Sequence, residues 1–254
     1  MKPKVSIITV TYNCGEFLEG TLKSIFEQNA NIYELIIIDG GSTDSTLSII
    51  KKFENLITHW ISEPDNGIYD AMNKGISLTN GEYLLFLNAG DSFYENNTLE
   101  KIPFEQYPSA DIFYGETVIL NDKGKQLGFR RKKLPHNLTW KSFKKGMVVC
   151  HQSIMVKKEI VPMYDLKFKY AADIDWVIKS LKASTQIIFT KTIISNFVEG
   201  GFSSQNFKKS WLDRFHILNE YFGIFQSLMS HMGFVLDRVF LRFKIIPPFR
   251  TKNL

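Results

Sequence analysis

Cysteine is scarce in this chain. The only two, Cys14 and Cys150, lie far apart with no CxxC spacing and no partnering histidine pattern, which excludes a disulfide framework and a cysteine-built zinc site and leaves two free thiols. No apolar run approaches the roughly 20 residues of a membrane span. The first such run, Val5–Val10, is too short and too weakly flanked by positive charge for a secretory signal, so the expected location is the cytosol. No GxGxxG follows that run, which disfavours dinucleotide oxidoreduction, and His59, His136, His216 and His231 show no HExxH-type spacing. There is no internal repeat and no low-complexity linker. What remains is a chain of 254 residues, 44% hydrophobic and 22% charged, enough for one substantial core and unlike a disordered protein. A net charge of +5 is compatible with a nucleic acid, an anionic membrane or a phosphorylated substrate, so its distribution decides.

The first ninety residues alternate short β-rich runs with helical segments. Val5–Val10, Leu35–Asp39, Thr58–Ser62 and Tyr83–Leu87 read as buried parallel strands. Glu16–Gln28 and Thr46–Phe53 carry apolar residues at helical spacing, which gives βαβ units. The middle predicts short strands at Ile112–Tyr114, Thr117–Leu120 and Gln126–Arg131, the last two joined across the turn Asn121-Asp122-Lys123-Gly124. A helix at Ile174–Lys182 and two further strands are expected next, and from about Phe207 the chain turns helical, aromatic and basic. This is an α/β pattern with a mixed, mainly parallel sheet flanked by helices and a C-terminal helical extension, divided as a catalytic domain 1–205 and a tail 206–254.

In an open parallel sheet, ligands bind where strands end. Strand one ends in Thr9-Val10-Thr11-Tyr12-Asn13, strand two in Asp39-Gly40-Gly41-Ser42-Thr43-Asp44, and strand four in Asn88-Ala89-Gly90-Asp91. Each supplies small residues that let a ligand approach, with hydroxyl, amide or carboxylate groups able to hold a nucleoside or a hard cation. Gly-Ser-Thr-Asp is equally an ordinary turn whose Ser42 or Thr43 caps a helix. Asp91, directly after a strongly apolar strand, stands at the sheet edge, where a cation bridging two phosphates needs an oxygen ligand. A further segment, Glu63-Pro64-Asp65-Asn66-Gly67-Ile68-Tyr69-Asp70-Ala71-Met72-Asn73-Lys74-Gly75, places a turn before a helix with Ile68, Met72 and Ile76 on one face. Its N-terminus would suit an anionic diphosphate, with Asp70, Asn73 and Lys74 in reach of it.

In their order and spacing these four motifs resemble the family 2 glycosyltransferases of GT-A fold, strongly to Asp91 and more loosely to about residue 200. The resemblance implies an inverting transferase, a hexosyl- or N-acetylhexosaminyl-transferase, that moves a sugar from a nucleotide-diphosphate donor, UDP first, with Mn²⁺ or Mg²⁺ as cofactor. It implies a nucleoside pocket at Thr9, Thr11 and Asn13, base contact by Asp39, and donor binding by Asp65, Lys74, Asn88, Ala89 and Gly90. Asp91 would be the metal ligand. Gly40 stands where the family usually has a second aspartate, and Asn88-Ala89-Gly90-Asp91 where Asp-x-Asp-Asp is usual, so a metal would lean on diphosphate oxygens and water. Tyr170-Ala171-Ala172-Asp173-Ile174-Asp175-Trp176 resembles the Glu-Asp-x-Asp stretch at a helix start, which maps the general base onto Asp173 and leaves Asp175 on another face as a cap. The pair His151-Gln152 maps to the acceptor side.

From Phe207 to Arg250 the chain has seven Lys/Arg against three Asp/Glu among many aromatics. Trp211, Leu212, Phe215, Leu218 and Phe222 form a candidate core-facing stripe, whereas Phe234–Phe249 suits an anionic leaflet. Peripheral contact with the cytoplasmic face of the inner membrane would fit a polyprenyl-diphosphate-linked acceptor in bacterial O-antigen or capsule assembly; a saccharide acceptor is the alternative. Two other functions compete: a non-catalytic nucleotide-sugar-binding scaffold, and a nucleotidyltransferase, which the absence of a basic residue in Thr11-Tyr12-Asn13-Cys14-Gly15-Glu16 disfavours. No nucleic-acid motif accompanies the basic residues, and no nucleic-acid partner is expected.

Overall fold

The computed structural model describes residues 2–30, 32–201 and 205–251. The apolar runs form strands β1 (Val5–Thr11), β2 (Tyr33–Asp39), β3 (His59–Ser62) and β4 (Tyr83–Phe86), separated by helices α1 (Gly15–Phe26), α2 (Thr46–Lys52) and α3 (Ile68–Leu78). Because successive strand residues point to opposite faces, Ile8, Val10, Ile36 and Ile38 enter one core with α3, while Val5, Ile7, Leu35 and Ile37 enter another with α1 and α2. Strands β1, β2, β3 and β4 pair in parallel, with β1 between β2 and β4. Their C-terminal ends therefore fall along one edge, Thr11 opposite Asp39 and Asp39 opposite Ser62.

The second half completes a mixed sheet. Strand β5 (Ser92–Phe93) leads to β6 (Ile112–Leu120), β7 (Gln126–Arg130) and β8 (Ile154–Lys157). Strand β8 runs antiparallel between β4 and β6, and β7 extends β6. The two short strands expected at 112–120 are one continuous strand, whose pairing with the strand 187–198 shifts register around Gly115, where a Cβ would meet the Thr192 carbonyl at 2.4 Å. After α4 (Ala172–Ala183) the two expected strands are also one, β9 (Ile187–Val198), which turns through Lys191 at φ 57° and runs parallel to β6.

From Phe207 the chain forms α5 (Phe207–Arg242), broken at Gly223, whose φ of 80° and ψ of 165° favour glycine. Its limbs, 207–222 and 224–242, fold back on each other. The ring of Trp211 meets His231 and Phe234 at centroid distances of 5.0 and 6.1 Å, and the guanidinium of Arg238 lies 3.9 Å from the centre of the Phe207 ring. The first limb packs on the body of the molecule through Ser210, Ile217 and Leu218, all buried. Leu212, expected in that stripe, is 56% exposed. The stripe runs instead through positions 210, 214, 217, 218 and 221, since Trp211 and Phe215 turn toward the second limb. A last strand, β10 (Phe249–Arg250), pairs with β7.

Candidate functional site

The strand ends are built largely by their own polar side chains. Asp39 is fully buried. Its carboxylate accepts from the Ser42 N–H at 2.9 Å, the Gly41 N–H at 3.2 Å, the Ser62 hydroxyl at 2.6 Å and the Ser42 hydroxyl. Those donors shape the loop after β2. Asn13, at φ 48°, donates its N–H to the Ser42 hydroxyl at 2.8 Å, and its Oδ1 accepts from the Thr43 N–H at 2.9 Å, which ties the loops after β1 and β2 together. Thr9 spends its hydroxyl on the Leu87 carbonyl at 2.8 Å, but the buried Thr11 hydroxyl has no hydrogen-bond partner among the described residues. Gly40 is explained by Asp65: a Cβ at Gly40 would lie 2.5 Å from Asp65 Oδ2, so the Asp65 carboxylate occupies the space a larger residue would claim. Exposed Tyr12 flanks the same place, 3.3 Å from that Cβ position.

The segment before α3 is less open than expected. The Asp70 carboxylate already accepts from the Asn66 N–H at 2.9 Å at the helix start. Lys74 pairs with Glu63 at 2.7 Å and donates to the Pro64 carbonyl at 3.2 Å, with Asp65 and Asp70 close enough to raise its pKa further. Asn73 does not reach toward a ligand. It clamps the backbone of Tyr164, accepting from its N–H at 2.7 Å and donating to its carbonyl at 3.0 Å.

A second group gathers around the turn Asn88-Ala89-Gly90-Asp91. Thr21 of α1 holds this turn, donating to the Asp91 carbonyl at 2.7 Å and accepting from the Gly90 N–H at 3.0 Å. Gly90 adopts φ 101°. Ala89 packs against the core beneath α1. The Asp91 carboxylate is enclosed. Gln152 donates to it at 2.9 Å and the Val198 N–H approaches at 3.4 Å, yet burial pushes its pKa up to about 7. Gln152, expected on the acceptor side, is therefore a partner of Asp91.

Its neighbour His151 faces the other way. The Asn88 amide stands 3.4 Å from His151 Nε2, and as donor it leaves the imidazole proton on Nδ1, which lies 3.9 Å from Asp173 Oδ2. Burial lowers the His151 pKa, a nearby Arg130 lowers it further, and Asp173 opposes both, so the ring is neutral at neutral pH. A single turn, His151–Ser153, thus bridges two carboxylates, Asp91 through Gln152 and Asp173 through His151.

Asp173 begins α4, its side chain 23% exposed. The Tyr69 hydroxyl donates to it at 3.4 Å. Burial and the Asp173 charge raise the pKa of both Tyr69 and Tyr164, whose rings stack at 5.2 Å, so both stay protonated. Asp175 is not a cap. Two positions along a helix turn it about 200° away from Asp173, into a buried site where the Tyr221 hydroxyl donates at 2.6 Å and Lys179 pairs at 2.8 Å. Beside Tyr69, a cleft of about 140 Å³ opens between the start of α3 and residues 166–170.

Tyr69, Tyr164, Thr21, Arg130 and Arg214 are site residues that the sequence reading did not single out. Tyr69 stands within a quoted motif, where it was given no role; the others carry no local signal.

Among the described residues, no three His, Cys, Asp or Glu side chains gather to hold a metal by themselves. The oxygens present fit a divalent ion that draws most of its ligands from a substrate: the Asp91 carboxylate and the Asn88 Oδ1, which is buried with no hydrogen-bond partner among the described residues.

Comparison with known proteins gives concordant matches. The family model described as Glycosyl transferase family 2 matches residues 6–161. A PGL/p-HBAD biosynthesis glycosyltransferase of Mycobacterium bovis is 32% identical over 224 residues, covering 84% of each chain. A putative teichuronic acid biosynthesis glycosyltransferase, TuaG of Bacillus subtilis, is 27% identical over 161 residues, 62% of this chain and 64% of that one. Among solved structures, S. aureus TarS 1-349 in complex with UDP-GlcNAc superposes with TM-score 0.66 at 17% identity, over 91% of this chain and 73% of that one. The mannosyltransferase PcManGT from Pyrobaculum calidifontis, in complex with GDP-Man and Mn²⁺, superposes with TM-score 0.58 at 14% identity, over 92% and 75%.

Proposed function

Since the chain belongs to glycosyl transferase family 2 and has the GT-A fold, we propose that its crevice transfers a sugar, with inversion, from a nucleotide-diphosphate donor to a saccharide or polyprenyl-diphosphate-linked acceptor in surface-polysaccharide biosynthesis. The observation that carries this reading is the His151–Ser153 turn joining an enclosed carboxylate, Asp91, to a partly exposed one, Asp173. The two differ as a leaving-group site and a general base must.

The nucleoside lies across the ends of β1 and β2, near Tyr12, Thr11 and Asp65, with Asn13 and Asp39 shaping the loops. Asn88, Ala89 and Gly90 give the diphosphate room to approach. Mn²⁺ or Mg²⁺ held by Asp91 and Asn88 would neutralise the departing diphosphate when bound. The acceptor enters beside Tyr69. Asp173 removes its hydroxyl proton as that oxygen forms the bond to the anomeric carbon, and the bond to the nucleoside diphosphate breaks on the opposite face. His151 and Tyr69 hold the Asp173 carboxylate by directing N–H and O–H groups at it. The UDP-GlcNAc complex of TarS supports UDP as the first nucleotide to try.

The tail, 206–254, adds a surface. Among the described residues no helix is long and apolar enough to cross a membrane. The second limb of α5, however, presents Phe225, Leu228, Met232 and Leu236 to solvent at helical spacing, Phe225 76% exposed, and Phe243 just past its end is exposed as well. Arg238, Arg242 and Lys244 are exposed on the same stretch, and Lys144 and Lys145 lie beside Ser230. This is the arrangement of a helix lying in an anionic headgroup layer.

The test is calorimetric titration with UDP-, GDP- and dTDP-sugars, with and without Mn²⁺, alongside turnover assays. One nucleotide family is expected to bind, Asp91→Ala to lose the metal-dependent part, and Asp173→Asn to bind donor normally while transferring at least a thousandfold more slowly, on the order of a lost general base and its positioning. Binding without turnover in wild type would leave a nucleotide-sugar-binding scaffold. Equal donor affinity in wild type and Asp91→Ala would remove the metal assignment.

A further inference from the structure

Arg214 projects from the first limb of α5 into the interior, and its environment is unusual for a guanidinium. Burial lowers its pKa. Its Nε is enclosed with no acceptor, and among the described residues it makes no hydrogen bond or ion pair at all. The groups around it are the Phe234 ring at 5.8 Å, Asp173 within electrostatic reach, and a second cation, Arg130. Arg130 donates only to neutral acceptors, Cys150 Sγ at 3.2 Å and the Met147 carbonyl at 3.4 Å. A third cation, Lys132, donates to the Lys145 carbonyl. The other acid of the neighbourhood, Asp237, is already engaged by Arg131.

Arg214, Arg130 and Lys132 thus stand close enough to repel one another, and the carboxylate acting on Arg214 is Asp173, which the proposed reaction already uses. Leaving buried charge unpaired is costly, and natural folds retain it where a ligand supplies the counter-charge. A fork of N–H donors matches phosphate oxygens in geometry as well as sign.

We propose that Arg214 and Arg130 form a seat for a diphosphate group, beside Asp173 and separate from the Asn88–Asp91 turn. The occupant is the diphosphate of a lipid-linked acceptor, since the departing nucleotide's diphosphate lies at the Asn88–Asp91 turn on the opposite face of the reacting carbon. Only this choice of source rests on the glycosyl-transfer reading; the seat itself follows from the unpaired cations. It makes the tail helix part of the site, since Arg214 reaches the crevice only while the first limb is docked.

The experiment titrates inorganic pyrophosphate, in metal-free buffer, into the full-length protein and into Arg214→Met, Arg214→Lys and Asp91→Asn. Wild type is expected to bind. Arg214→Met should lose at least tenfold in affinity with its melting temperature kept or raised, Arg214→Lys should fall between, and Asp91→Asn should bind as wild type. Should Arg214→Met fail to fold, Arg130→Met and Arg214→Lys carry the same comparison. Absence of pyrophosphate binding in wild type, or equal binding by Arg214→Met, overturns the seat.

Repeating the titration with saturating UDP tests the source: retained pyrophosphate binding supports the acceptor's diphosphate, and competition overturns that assignment. Pyrophosphate binding by a protein that never turns over a nucleotide sugar would overturn the transferase reading alone. Nucleotide-sugar turnover without pyrophosphate binding would overturn the seat alone.

Discussion

Asp91 shows how one side chain can be tuned against stability. Burial pushes its pKa up to about 7, with Gln152 and the Val198 N–H pulling the other way. A carboxyl whose pKa is higher in the folded than in the unfolded chain stabilises the fold when protonated. The contribution is complete below the ordinary carboxylate range and is lost as pH rises through about 7. Three pKa units correspond to about 4 kcal/mol as an upper figure. Asp91→Asn, neutral and of the same shape, should therefore melt higher than metal-free wild type at pH 8.5, with the gap shrinking steadily as pH falls toward the ordinary carboxylate range; scanning calorimetry across that range decides. The function has the opposite sign, because only the carboxylate attracts a cation. Metal-dependent donor binding should rise through pH 7, and Gln152→Leu, which removes the donor that lowers the pKa, should move that rise to higher pH in the same titration. Gly40 belongs to this scale too. The departure from the family's usual aspartate is matched by Asp65, whose carboxylate fills the space beside it.

At the scale of elements, α5 is two helices made one by sequence continuity. Gly223 holds the reversal at φ 80° and ψ 165°, a conformation nearly confined to glycine that costs other residues on the order of 1–3 kcal/mol. Gly223→Ala should destabilise the protein by about that amount in urea unfolding and loosen the second limb, read as faster amide exchange at 224–242. The exposed face of that limb gives a separate prediction. Leu228→Ser, Met232→Ser and Leu236→Ser together should cut partitioning onto phosphatidylglycerol vesicles at least tenfold, measured by flotation. Binding by wild type should vanish on zwitterionic vesicles in high salt. If wild type ignores both vesicles, or forms a lipid-independent dimer through this face in light scattering, the membrane proposal fails. The acids of the limb pair do not counter the cations: Asp213 accepts from the Tyr170 N–H, Glu220 pairs with Lys167, and Asp237 pairs with Arg131.

For the molecule as a whole, three of the contacts that tie the tail to the body are buried. Tyr221 donates to buried Asp175, Ile217 and Leu218 are fully enclosed, and Arg250 pairs with buried Glu116 at 2.8 Å. Tyr221→Phe leaves the Asp175 carboxylate with Lys179 alone, and removal of a hydrogen bond to a charged group costs about 1.5–3 kcal/mol. The variant should melt several degrees lower. If the tail supplies Arg214 to the crevice, its transfer rate should also fall, with donor affinity unchanged. A fall in stability with transfer intact would mean that the tail only supports the fold.

Sequence by itself determined the strands and helices of the first ninety residues and the polar strand ends, because side-chain period, apolar runs and turn chemistry are local properties. It also showed that Asp173 and Asp175 cannot share a helix face. The assembly of the site was a matter for tertiary structure. Asp91 and Gln152 are 61 positions apart, and Asp175 and Tyr221 are 46 apart. Their meeting follows from the packing of β8 against β4 and of α5 against α4, which no window of residues contains. That Gln152 turns to Asp91, that Asn73 clamps a backbone, and that an arginine from the tail enters the interior unpaired were decided by which faces those elements bury against one another.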